Sequence, residues 1–390
     1  MSESVAKPKV GLQPRRELGG KLLVTGAAGH VGANLVHRLL SDGRDVRVLL
    51  RDGSDNTAID AIEEALGKKV ERVFGDLRKY DDALTAVRGC ENVFHVAARV
   101  STLGGSDQDL RDLYDCNVRG TAHLLRAAGD AGVKRTVVTG SLSAVGLNWD
   151  DPSLPCDESM PFYPFSEHLP YGRTKSLVEH EVLKAVVEGV DAVVATSCAV
   201  LGPWDYKPSR MGRTLIDFAT GKLNAYLPGG FDFVSTRDLI DGHVLAMERG
   251  RSGQRYIIST EFCTVDGLMD IFEEVAGRPR PKLRLPPGVM AGVASISSFF
   301  MSSFFPKTPQ RFTPAAVRLL RMNRKADTSK AQLELGYKPT NVRSAIHEAY
   351  ADFARRGLVP QSPSQARGES VAPEATPEKP KKKTRQGAAA

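Results

Sequence analysis

Three side chains have the types and spacing to move a proton: Ser141, Tyr171 and Lys175. A tyrosine and a lysine four residues apart lie on one helical face, where an ammonium beside a phenol favours the phenolate by charge proximity. Such a pair can serve as acid and base near neutral pH. Tyr-x-x-x-Lys alone is a common chance pattern. It gains weight from Thr139-Gly140-Ser141, which ends an apolar strand over residues 135–138 and delivers a hydroxyl thirty residues ahead of Tyr171.

A second group could hold the redox partner of that chemistry. Residues 21–25 form a short β-rich run, followed by Thr25-Gly26-Ala27-Ala28-Gly29-His30-Val31-Gly32. Val31, Leu35, Val36, Leu39 and Leu40 then recur at helical spacing until Asp42-Gly43 stops them, and a second strand follows at 46–50. Strand, glycine turn, helix and strand make the βαβ unit that binds dinucleotides. Gly26 permits the tight turn, Gly29 lets the backbone approach a pyrophosphate, and Gly32 allows close packing of a helix whose N-terminus faces the anion. A glycine turn without a ligand is the plainer alternative, and this context argues against it.

The end of the second strand selects between cofactors, because an acidic side chain there binds the ribose hydroxyls and a basic one accommodates a 2′-phosphate. Leu50 occupies the acidic position and Arg51 follows, with Arg47 on the same strand face. NADP(H) is therefore favoured, while the nearby Asp52 keeps NAD(H) open.

Further segments come in order: Gly75-Asp76-Leu77-Arg78, His95-Val96-Ala97-Ala98, Asn117-Val118-Arg119-Gly120-Thr121, Leu201-Gly202-Pro203 and Leu335-Gly336-Tyr337-Lys338-Pro339. With these motifs the chain resembles the extended short-chain dehydrogenase/reductase family over roughly residues 20–357. The resemblance implies cofactor contacts from Gly26, Ala28, Gly29, His30, Val31, Gly32, Arg51, Asp76, Leu77 and Ala97, with Asp76 near the adenine. It further implies that Ser141 polarises the substrate oxygen, Tyr171 transfers its proton, and Lys175 binds the nicotinamide ribose and tunes Tyr171. Asn117 would hold a water of the proton relay, and Ser143 would be a second substrate contact.

The runs Val46 to Asp52 and Gly202 to Pro208 look more like the dihydroflavonol reductase and 3β-hydroxysteroid dehydrogenase-like branches than the sugar epimerases. Two departures bear on the substrate: Thr196-Ser197-Cys198-Ala199 lacks the family's usual Arg-Pro or Asn-Pro pair, and Arg237 stands where an acidic residue is frequent. Cys198 is a candidate substrate contact, although a buried inert thiol is the plainer role. The family also implies a homodimer through helices around residues 113–128 and 171–187.

These residues must be positioned by an α/β fold: a Rossmann-type doubly wound parallel sheet with a smaller C-terminal substrate lobe. Residues 1–17 read as a flexible leader and 18–190 as the dinucleotide-binding domain. Segments 191–196 and 255–258 are expected to return to its sheet. Residues 191–357 are mainly substrate lobe, and 361–390 a disordered basic tail. At 390 residues, with 41% hydrophobic and 25% charged side chains, the chain can bury a large core.

The net charge of +7 is concentrated at the ends. Residues 361–390 carry six Lys or Arg against three Glu, and residues 1–17 carry four against two, leaving about +2 for the body. Without a basic stripe interleaved with aromatics, no nucleic-acid partner is expected. Five scattered cysteines and the absence of a secretory signal before Lys21 point to a reducing cytoplasm and no metal site.

Residues 289–305 form an uncharged, phenylalanine- and serine-rich run, too short to span a bilayer comfortably. It reads as an ordinary lobe helix, as the cap of a greasy pocket, or as a peripheral membrane contact. The expected activity is interconversion of a secondary alcohol and a ketone on a lipophilic ring substrate such as a 3β-hydroxysterol, with decarboxylation if that substrate carries a 4-carboxylate. The alternatives are a nucleotide-sugar epimerase or dehydratase and a non-catalytic NAD(P) sensor.

Overall fold

The computed structural model describes residues 10–100, 106–147, 151, 154–162, 169–285, 320 and 322–362. The run 289–305, residues 1–9 and the tail beyond 362 lie outside them.

The main sheet has seven parallel strands in the order β10-β6-β5-β4-β1-β2-β3. They are β1 (Leu22–Thr25), β2 (Val46–Leu50), β3 (Glu71–Phe74), β4 (Asn92–His95), β5 (Arg135–Ser141), β6 (Ala192–Ser197) and β10 (Arg255–Ile258). The order reverses between β1 and β4, so the carboxyl ends of these strands flank the switch-point crevice in which doubly wound sheets bind ligands. Both late segments expected to rejoin the sheet do so, as β6 and β10.

The crossover helices are α1 (His30–Ser41), α2 (Thr57–Leu66), α3 (Tyr80–Val87), α4 (Asp107–Tyr114), α5 (Gly120–Asp130) and α6 (Pro170–Val187). In α1 the helical repeat puts Leu35, Val36 and Leu39 wholly inside the core. Each such burial stabilises by about 1.5–3 kcal/mol. Proline opens α6 at a position where its missing N–H costs no helical bond. Gly140 in β5 is required by its neighbours, because a Cβ there would come within 2.7 Å of Val194 and 2.8 Å of Thr196.

The smaller lobe contains β7 (Ala199–Leu201), β9 (Gly230–Ser235) and β11 (Glu261–Thr264) as one sheet, and β8 (Ala225–Tyr226) paired with β12 (Leu283–Arg284). Around them stand α7 (Arg210–Ala219), α9 (Val265–Ala276) and α10 (Val342–Arg355), while α8 (Thr236–Arg249) packs back on the main sheet. The lobe has its own apolar core, in which Phe218, Phe233, Phe272, Tyr350 and Phe353 are buried.

Residues 10–17 differ from the expected flexible leader. Gln13 N donates to Glu334 O at 2.9 Å and Arg16 N to Glu248 O at 2.8 Å. The Arg15 and Arg16 side chains reach Glu248 and Asp191, each at 2.6 Å. Composition showed a polar leader but not the carboxylates waiting on distant elements.

Candidate active site

The glycine turn has the backbone its role demands. Gly26 sits at φ +69°, and a Cβ there would lie 2.6 Å from the Ala97 nitrogen, so Ala97 closes directly over the turn. A Cβ on Gly32 would approach the Gly26 carbonyl oxygen to 2.1 Å. Gly29 is the N-cap of α1 and no side chain caps that end, which leaves helix amides available to an anion. These features fit a dinucleotide pyrophosphate on the turn residues Gly26, Ala28, Gly29, Val31 and Gly32.

The His30 side chain turns away from that role. Its Nε2 lies 3.2 Å from Gly202 O and 3.1 Å from Pro203 O, so the ring pins α1 to the loop after β7. Asn34 adds a bond to Pro203 O at 2.8 Å. Near the amino end of β2, Arg47 is occupied by the carbonyls of Ala86 and Arg88 and by Glu71 at 2.7 Å. Arg51, one residue beyond the carboxyl end of β2, is exposed. Asp76 accepts both Nε and Nη2 of Arg78, at 2.8 and 2.5 Å, which with burial opposing holds its carboxyl below the usual range. Leu77 is buried beneath Gly120.

The proton-transfer residues converge from two elements. Ser141 ends β5, while Tyr171 and Lys175 occupy the first turns of α6. The Ser141 hydroxyl acts on the Tyr171 phenol and favours its ionised form. The Ser141 and Ser143 hydroxyls share a bond of 2.8 Å, which brings the second serine beside the first. Lys175, 4% exposed, donates from Nζ to the Thr139 carbonyl at 2.8 Å.

Electrostatics here differ from the expectation that Lys175 draws the phenol toward phenolate. Burial pushes Tyr171 up to about 12, opposed by the Ser141 hydrogen bond. Burial also lowers Lys175 to about 8, opposed by Glu179. Burial therefore dominates the resting phenol, and the opposing influence comes from Ser141.

Asn117 lies in a π-helical turn, Asp115–Arg119, a geometry frequent at functional sites. Its Oδ1 accepts from Arg99 N at 2.7 Å, and its Nδ2 donates to Arg99 O at 2.9 Å and to the Thr174 hydroxyl at 3.1 Å. Its amide therefore braces the strand exit after β4 against α6. Cys198, between β6 and β7, packs against the apolar cluster of Leu142, Val145, Cys156 and Ile257, and burial pushes its thiol well up. That environment fits the inert role.

Sequence reasoning missed a buried polar layer beneath the site. His243 on α8 has Nε2 at 2.8 Å from the Thr139 hydroxyl and Nδ1 at 2.7 Å from Leu239 O. His95 bridges the hydroxyls of Thr25 and Thr121, at 2.8 Å each. Glu179 follows Lys175 by one helical turn and pairs with Arg255 at 3.1 Å. The Tyr171, Lys175, Glu179 spacing was visible in the sequence; the partners on β10 and α8 were not.

Residues 22–259 match the model of the NAD dependent epimerase/dehydratase family. The chain is 42% identical over 337 residues to sterol demethylase protein B of Methylococcus capsulatus, covering 86% of this chain and 99% of that protein. It is 30% identical over 339 residues to a 3-beta-hydroxysteroid dehydrogenase of Mycolicibacterium neoaurum, covering 82% and 87%. The crystal structure of gox2253 superposes with a TM-score of 0.73 at 31% identity, covering 87% of this chain and all of that one. No helix among the described residues is long and apolar enough to cross a membrane. The family match, spanning the glycine turn and the Ser141, Tyr171 and Lys175 cluster, places this chain in the NAD-dependent epimerase/dehydratase family of extended short-chain dehydrogenases/reductases, as an NAD(P)-dependent oxidoreductase.

Proposed function

We propose that the chain oxidises the 3β-hydroxyl of a sterol-type substrate to a ketone, using Ser141, Tyr171 and Lys175. The observation that carries the reading is the convergence of those three side chains at the mouth of the dinucleotide crevice. The steroid-directed names of relatives that match nearly end to end support the substrate class. Bound NAD(P) supplies the hydride acceptor, and Gly26, Ala28, Gly29, Val31, Gly32, Leu77 and Ala97 would hold it, with Asp76 near the adenine. Arg51 is the group we assign to a 2′-phosphate, which favours NADP(H).

In the oxidative direction Tyr171, ionised to its phenolate, takes the hydroxyl proton, and Ser141 donates a hydrogen bond to the developing carbonyl oxygen. Lys175 stabilises the phenolate form that this transfer requires, and Ser143 orients Ser141. Asn117, fixed between Arg99 and Thr174, sets the geometry of the relay. If the substrate carries a carboxylate β to the new ketone, carbon dioxide leaves with its bonding electrons passing to the enolate, which then takes a proton. No further catalytic group is needed.

Purified protein incubated with NAD(+) and NADP(+) against 3β-hydroxysterols, 4-carboxylated sterols and nucleotide sugars tests this directly. Reduced cofactor with a sterol, and loss of carbon dioxide only from the carboxylated one, is the expected result. Isomerised sugar without net cofactor reduction would replace the reading by an epimerase. Cofactor binding without turnover on any member of the panel would replace it by a sensor.

A second copy of the chain is the partner we assign to the outer face of α4 and α6. Tyr114 and Leu183 are each 44% exposed and Val187 is 88% exposed, an apolar surface on the helices through which such enzymes would pair.

A further inference from the structure

We infer that Glu179, gripped by Arg255, is the buried counter-ion that keeps Lys175 charged and in place, a positioning residue for proton transfer. The inference rests on the catalytic reading of Tyr171 and Lys175 given above.

Helix α6 sets Tyr171, Lys175 and Glu179 at successive four-residue steps along one face. Lys175 and Glu179 are 4% and 3% exposed. An ammonium removed from water this far needs both a hydrogen-bond acceptor and an opposite charge, or it gives up its proton. The Thr139 carbonyl on β5 is the acceptor. Burial, helped by this ammonium, pushes His95 on β4 and His243 on α8 down to about 3 and about 4, and neither imidazole can supply a negative charge. Tyr171 is a neutral phenol. Glu179 is the carboxylate acting on Lys175.

The carboxylate is itself built in from the opposite side. Arg255 Nη1 donates to Glu179 Oε2 at 3.1 Å. The same guanidinium bonds the carbonyls of Glu158 and Met160 and lies over the Phe162 ring at 5.2 Å, so it cannot swing away. Glu179 Oε1 is buried with no hydrogen-bond partner among the described residues. Glu179 also lines a cavity of about 170 Å³, shared with Glu158, Gln254, Arg255 and Lys330. Its wall is apolar at Phe162, Val182, Leu183 and Val194, and its polar side chains leave room for water beside the orphan oxygen. Burial pushes Glu179 up, and Arg255 and Lys175 pull it back toward the ionised form. Of the other cavity groups, Glu158 is pushed up to about 7 and Lys330 is lowered, both by burial. The result is a row of phenol, ammonium, carboxylate and guanidinium in which each charge is flanked by its opposite.

The test is a titration of Lys175 in full-length protein labelled with [ε-13C]lysine, its signal assigned by its loss in Lys175→Arg. Removing an opposite charge at this range should lower the Lys175 midpoint by about one pH unit or more in Glu179→Gln. The alkaline limb of kcat should move down by the same amount with KM nearly unchanged. Glu179→Asp keeps the charge but draws it back, so its shift should run in the same direction and be smaller. A merely structural glutamate would lower Tm in both variants and leave the Lys175 midpoint in place, which overturns the inference. If Glu179→Gln does not fold, the aspartate variant decides by the same criterion. Full turnover in Tyr171→Phe and Lys175→Arg would instead overturn the catalytic reading, while the titration still decides whether Glu179 is the counter-ion.

Discussion

Gly32 and Gly26 pack so closely that a Cβ on Gly32 would stand 2.1 Å from the Gly26 carbonyl oxygen. Gly29 differs: its nearest neighbour to such a Cβ is the same oxygen at 3.3 Å, and its φ of −89° suits any residue. One glycine is therefore needed by the fold, and the other by what approaches the fold.

Gly32→Ala should lower Tm and weaken cofactor binding together, because the turn itself must shift. Gly29→Ala should leave Tm nearly unchanged and still weaken binding, by about tenfold or more if a methyl holds the pyrophosphate off the helix amides. Differential scanning fluorimetry paired with fluorescence titration of the cofactor reads both quantities. Undiminished affinity in Gly29→Ala would remove the pyrophosphate from this turn.

Tyr171→Phe keeps the ring and deletes the proton. Turnover should fall by about 10²–10⁴-fold, the range for loss of a general acid or base. Cofactor Kd should change little. A variant with near-normal kcat on the preferred sterol would take Tyr171 out of the reaction.

Arg51 is exposed at the end of β2, whereas Arg47 is held by Glu71 and two carbonyls. Arg51→Ala should raise KM for NADP(+) on the order of tenfold, as loss of a charge-assisted phosphate contact implies, and spare KM for NAD(+). Arg47→Ala should lower stability through its lost carbonyl contacts and leave the cofactor ratio alone. Equal effects of Arg51→Ala on both cofactors would show that no 2′-phosphate is read there.

The parts of this molecule legible in the sequence are those written in local pattern. The glycine turn, the periodic face of α1 and the Tyr171 and Lys175 spacing are each contained within about one element, where side-chain direction follows from backbone period. Even the return of residues 192–197 and 255–258 to the main sheet could be read from their apolar runs. The electrostatic setting could not. Tyr171 is raised because of how deeply α6 packs, and His243 reaches Thr139 across 104 residues of sequence. His30 shows the same limit: its place inside the turn suggested a cofactor contact, yet its ring is claimed by carbonyls 172 and 173 residues away.

Val187 is 88% exposed on the outer face of α6, one turn beyond Leu183. If that face is covered by a second copy, Val187→Asp places a charge in an apolar contact and should shift the chain from dimer to monomer in analytical ultracentrifugation. Activity per chain should persist, since Tyr171 and Lys175 lie at the opposite end of the helix. Sedimentation of the variant as an unchanged dimer would move the interface elsewhere.

Two buried histidines make the fold sensitive to acid. Burial pushes His95 down to about 3 and His243 to about 4 from an ordinary 6.5, and each accepts or donates only within the protein. The unfolded chain takes up these protons below pH 6.5 and the folded chain does not. Their stabilising effect is therefore complete above pH 6.5 and is lost as the pH falls toward 4. Each histidine adds up to about 1.4 kcal/mol per pH unit to the slope of unfolding free energy in that window. Urea unfolding of the wild type at a series of pH values from 7.5 to 4.5 should show that decline on top of the carboxylate background. In His243→Gln the slope should drop by about one proton, because an amide can still meet the Thr139 hydroxyl but does not titrate. An unchanged slope would mean that His243 is already protonated in the fold. In that event Nε2 would donate to the Thr139 hydroxyl, and a second positive charge would stand beneath Lys175.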